Sequence, residues 1–147
     1  MHRKHACALD LSAEMDDSNL RRAGEVPVTY ETPELKPILK ETYGLILYHE
    51  QFMQVVHVIS GLSLGKADHM QRSMGLRKTK EQCMWHEVFL AEGRKRGYGE
   101  DFLNNMWNKL RCFAPYSFLK AHAVARVLLL YRVVYIKAVL HSDTNSN

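Results

Sequence analysis

Tyr48–Lys80 reads YHEQFMQVVHVISGLSLGKADHMQRSMGLRKTK, and its punctuation decides the fold. Phe52, Val55, Val56 and Ile59 recur at i, i+3, i+4 and i+7, the spacing that lines one face of an α-helix. Gly61 is the residue type that stops such a helix, because it takes the left-handed conformation without a Cβ penalty. Ser63 offers a side-chain oxygen to the next set of unpaired amides, which predicts a second helix over Leu64–Met74 closed by Gly75. Thr79 and Gln82 match the Ser/Thr-x-x-Glu/Gln box, predicting a third helix to about Arg96.

The same reading extends in both directions. Gly97 and Gly99 break the chain, and Glu100–Phe113 is helical with Phe102, Met106, Trp107 and Leu110 on its buried stripe. Ala114-Pro115 ends that helix, and Ser117 is placed to cap a last one from Leu119 to about Leu140. On the N-terminal side, Thr32-Pro33-Glu34 opens a helix, with Pro33 where a missing N–H costs nothing. Pro37 splits it, leaving Ile38–Tyr43 as a turn or two ended by Gly44. Val26–Tyr30 alternates weakly and reads as a short strand that Pro27 confines to an edge. Residues 1–25 mix charges without an apolar stripe, so they read as a disordered or frayed arm or a short frayed helix, and 141–147 as a loose tail. The fold expected is mostly α: one domain of five or six helices over 26–140, with one short edge strand near its start.

Bulk composition agrees with one globular domain: 147 residues, 46% hydrophobic and 24% charged. Cys7, Cys83 and Cys112 lie far apart, against a disulfide framework or a Cys-rich zinc site and in keeping with a reducing cytoplasm. No long apolar core marks the first residues as a signal peptide. The most apolar run, Ala123–Leu140, contains Arg126, Arg132 and Lys137, which reads as a buried helix rather than a membrane span. A cytoplasmic protein with no membrane partner is expected.

Catalytic patterns fail on inspection. His49-Glu50 and His86-Glu87 begin a His-Glu-x-x-His motif, but positions 53 and 90 are Met and Leu. Gly61-x-x-x-Gly65-Lys66-Ala67 is one residue short of a phosphate loop and has Ala where a hydroxyl would hold magnesium. Asp16-Asp17 sits in the polar arm with no strand beside it to build a two-cation site. Binding is what remains. Gly61–Lys80 carries Lys66, Arg72, Arg77, Lys78 and Lys80 against one acid, Asp68. Lys66, His69 and Arg72 step by three along one flank of a helix, and such a strip neutralises phosphates or is simply a solvated face. Lys120-Ala-His122 stands at a helix start, where unpaired amides favour an anion.

Several blocks together carry a resemblance. Glu34–Gly44 (ELKPILKETYG), Leu47–Gln54 (LYHEQFMQ), Gly61–Asp68 (GLSLGKAD), Arg72–Gly75 (RSMG) and Phe113–Ala123 (FAPYSFLKAHA) occur in one order and register. Over Val26–Leu140 the sequence resembles the fingers region of the bacterial DNA polymerase III α subunit, a C-family replicative polymerase. The resemblance implies a role in DNA replication. Arg72, Lys120 and His122 would contact the triphosphate of an incoming deoxynucleotide, and Lys66, Arg77, Lys78 and Lys80 the backbone of primer–template DNA. It also implies that Mg²⁺ is held by palm carboxylates outside this chain, so that this chain carries no cofactor or catalytic residue of its own and is inactive alone. A palm-bearing polypeptide would be its partner. Three positions depart from the family pattern: Gln71 for an arginine, Leu119 for an asparagine and Arg126 for a tyrosine. The other reading is a helical protein-interaction module that kept the fold and lost nucleotide binding.

Overall fold

The computed structural model describes residues 11–76 and 79–144. Among these the fold is mostly α and contains no β-strand. The helices are α1 (Leu11–Ala23), α2 (Lys36–Leu39), α3 (His49–Ser60), α4 (Leu64–Gly75), α5 (Thr79–Lys95), α6 (Glu100–Phe113) and α7 (Lys120–Thr144). Single 3₁₀ turns, Pro33–Leu35 and Lys40–Thr42, flank α2. Seven helices among the described residues exceed five or six for two reasons. Part of the charged N-terminal arm is helical as α1, and the segment around Pro37 keeps one turn of α-helix. Val26–Tyr30 forms no strand, since an edge strand needs a sheet to join. Tyr30 packs against the core instead.

Two compact units divide the chain, one ending at Ser117 and the other beginning at Phe118. In the first, α3 packs against α2, α4 and α5, and α5 packs on to α6. The four apolar residues of the α3 stripe are all buried, together with Leu39, Met70, Phe89, Leu103 and Leu110. Gly61 ends α3 at φ 72°, its N–H donating to the His57 carbonyl at 2.8 Å. The Arg96 guanidinium covers this end, with Nη1 donating to the Val58 carbonyl at 3.0 Å. A Cβ at Gly61 would stand 2.6 Å from Arg96 Nη2, so this glycine serves both backbone and neighbour. Gly93 sets the approach of α5 and α6, since a Cβ there would meet Leu103 Cδ2 at 2.4 Å.

One side chain anchors the segment around α2. Gln51, buried at the start of α3, accepts through Oε1 from the amides of Leu47 and Tyr48, each at 3.1 Å. Its Nε2 donates to the Ile38 carbonyl at 3.1 Å and to Thr42 Oγ1 at 2.9 Å. Both ends of the amide are therefore satisfied within the protein. Thr42 Oγ1 in turn donates toward the Leu45 carbonyl at 2.6 Å. Arg21 Nη1 donates to the Tyr43 carbonyl at 3.1 Å, tying α1 to the same loop.

Local signals resolve unevenly. Ser63 caps α4 as read, accepting from the Lys66 amide at 3.4 Å. Gln82 instead turns away from its own helix start and donates to the Ser73 and Met74 carbonyls, at 3.2 and 3.3 Å, capping the end of α4. Ser117 donates to the Ala114 carbonyl at 3.1 Å. Thr32 stands at the start of its turn, yet its hydroxyl makes no capping bond.

Helix α7 makes up most of the second unit. Its described side chains lie at the surface, with Leu129 62% and Tyr131 67% exposed, and Tyr131 stacks on Tyr135 one turn away. The expectation that Ala123–Leu140 is buried is corrected: the run is apolar on every side of the helix and most of its side chains are exposed. Among the described residues, no helix is long and apolar enough to cross a membrane.

Candidate functional site

Helix α4 separates its residues cleanly. Ala67, Met70, Gln71, Ser73 and Met74 face inward and are buried, while Lys66, His69 and Arg72 are exposed. Leu64 is exposed at the first turn. Arg72 lies in the last turn, where a cation opposes the negative end of the helix dipole. Its Nη2 pairs with Asp68 Oδ2 at 3.0 Å, one helical turn back. The second oxygen of Asp68, Oδ1, is 2.8 Å from His49 Nε2 on α3. Facing a carboxylate, that ring nitrogen carries the proton and donates. Asp68 thus bridges two helices and fixes one nitrogen of an exposed guanidinium. Among the described residues nothing else holds Arg72, so its remaining N–H groups are turned to solvent.

Gln71 has a different task from its neighbour. Its buried amide donates to the Ala114 carbonyl at 3.0 Å and to Ser117 Oγ at 2.8 Å, locking the turn that follows α6 against α4. The position where the resemblance implies an arginine is therefore an internal strut here, not part of the cationic face.

The remaining site residues distribute as follows. Lys80 is exposed in the first turn of α5. Arg77 and Lys78 lie outside the described residues. Lys120 and His122 are exposed in the first turn of α7, in the second unit. Two residues of the cluster escaped the sequence reading. Asp68 had a usable signal, standing four residues before Arg72. His49 had none, because 19 residues separate it from Asp68 and only the α3–α4 packing joins them. No group of three or more His, Cys, Asp or Glu side chains is gathered to hold a metal among the described residues.

Fold and surface define a helical module with a cationic edge on its fourth helix. The sequence matches the family described as bacterial DNA polymerase III alpha subunit finger domain over residues 10–97, and the chain belongs to that family. It is 39% identical over 118 residues to the DNA polymerase III subunit alpha of Aquifex aeolicus (strain VF5), covering 80% of this chain. It is 42% identical over 123 residues to that of Thermus aquaticus, and 38% identical over 111 residues to that of Escherichia coli (strain K12). In each case the matched part is 10% of the relative, so the chain spans about a tenth of the length of the curated relatives it matches.

Proposed function

We propose that this chain acts as the fingers part of a DNA polymerase III α-type replicative polymerase, gripping the phosphates of an incoming deoxynucleotide and of primer–template DNA. The observation that carries the reading is the exposed edge of α4, where the Arg72 guanidinium is fixed at one nitrogen and open at the others. A guanidinium presented in this way suits a phosphate, because its planar fork matches two anionic oxygens. In the second unit, Lys120 and His122 are the cations available to a triphosphate, and Lys66, Arg77, Lys78 and Lys80 of the first follow the nucleic-acid backbone. The working module runs over 26–140. Cations already in place where phosphoryl charge builds up are what transfer of this kind needs from a fingers segment. Mg²⁺ would neutralise charge on the reacting phosphates and would be held by the palm of the polymerase. On this reading the carboxylates for it lie in the palm, and the chain does not extend a primer alone.

Calorimetric titration of the full chain with a deoxynucleoside triphosphate tests the reading. Binding is expected, and Arg72→Ala should weaken it about tenfold, the usual worth of one charge-assisted bond. Affinity unchanged by that substitution removes the site, and primer extension by this chain alone removes the division of labour.

A second reading rests on α7. Its exposed apolar surface, with Leu128, Leu129, Leu130 and Ile136 each more than half accessible, favours a docking role on the palm-bearing remainder of a polymerase. Salt discriminates: DNA binding that collapses with added salt supports phosphate gripping, and salt-insensitive association supports docking.

A further inference from the structure

We infer that Asp68 is a positioning residue for Arg72, anchored by His49, so that an incoming triphosphate meets a guanidinium already aimed at it. The inference rests on the phosphate-binding reading of Arg72 given above. Accessibility rises along the three side chains, from 18% at His49 to 28% at Asp68 and 71% at Arg72. The fixed end is the first residue of α3, the helix that carries the centre of the core. From there His49 Nε2 holds Oδ1 at 2.8 Å, and the other carboxylate oxygen holds Arg72 Nη2 at 3.0 Å.

Both oxygens of Asp68 are engaged, so the carboxylate cannot rotate away without losing a partner. An unrestrained arginine loses much rotamer freedom when it grips a ligand. Restraining it beforehand at one nitrogen removes part of that loss and leaves the rest of the fork to receive two phosphate oxygens. A carboxylate near a polyanion also repels it, which sets the opposite sign. Recession of Asp68 and its tether to His49 favour positioning, and the sign of a measured affinity change decides the matter.

The experiment is calorimetric titration of the full chain with deoxyadenosine triphosphate, with helicity of each variant checked by circular dichroism. Asp68→Ala should weaken binding about two- to threefold, as suits an exposed pair one turn apart. Asp68→Asn, which keeps the shape and loses the charge, gives the same direction should the alanine variant fail to fold. His49→Leu should weaken binding in the same sense, and His49→Gln, which retains a donor, should restore it. In an Arg72→Ala background, Asp68→Ala should change nothing further. Unchanged or tighter binding by the Asp68 variants, or an equal loss with and without Arg72, overturns positioning while leaving phosphate binding intact. An Arg72→Ala variant that binds like the parent, or a parent that does not bind, overturns the phosphate reading and this inference with it.

Discussion

Helices α3 and α7 are both rich in apolar residues, yet they stand in opposite relations to the rest of the chain. In α3 the apolar residues fall on one stripe, and Phe52, Val55, Val56 and Ile59 are all fully buried. In α7 they fall on all sides, and Val127, Leu130, Val134 and Tyr135 are all exposed. The difference lies in periodicity, not in hydrophobic content. A single stripe lets a helix close a core with its own neighbours, whereas apolar residues all round call for surroundings on every side. This contrast leaves the first unit with a buried core of its own and α7 with apolar side chains exposed.

The contrast should be largest in amide hydrogen exchange. Central α3 amides are expected to exchange at least about a hundredfold more slowly than central α7 amides, because protection follows buried packing. Equal protection would end the comparison. Next in size is Phe52→Ala, expected to cost about 3–5 kcal/mol on denaturant unfolding, since the residue is fully buried. Gln51→Ala should cost about 2–3 kcal/mol by stranding the partners around Thr42 and Ile38. Gly93→Ala should cost about 1–3 kcal/mol, because the new methyl would overlap buried Leu103. The smallest effect is expected at Leu129→Ala, within about 0.5 kcal/mol on the chain alone. A loss there as large as at Phe52 would mean that α7 is packed after all.

How much of this was legible in the sequence depended on the reach of each interaction. The α3 stripe, the Gly61 stop, the Ser63 cap and the span of α6 are local, and the structure places them where the pattern did. Gln82 and Ser117 carry the right chemistry for caps, but tertiary neighbours claim them: Gln82 serves the end of α4, and Ser117 joins Gln71 and Ala114. The end of α4 and Gln71 both lie far along the chain from the residue they claim, beyond any three-residue motif. Charge periodicity finds the exposed cations of α4, whereas Asp68 reads only as the one acid among them and His49 only as half of an incomplete His-Glu-x-x-His motif, and the α3–α4 packing joins the two. The apolar run of α7 showed how much surface needs cover without showing whether this chain provides it.

The Gln51 amide has one more consequence. Four residues of α-helix and two 3₁₀ turns are too short to persist by themselves. Between Leu35 and Leu45 they are held by neighbours: Leu35, Leu39 and Leu45 are buried in the core, Arg21 holds the Tyr43 carbonyl, and the Gln51 carboxamide at the opening turn of α3 joins Ile38 and Thr42. The order of this stretch is thus inherited from its neighbours rather than encoded in itself.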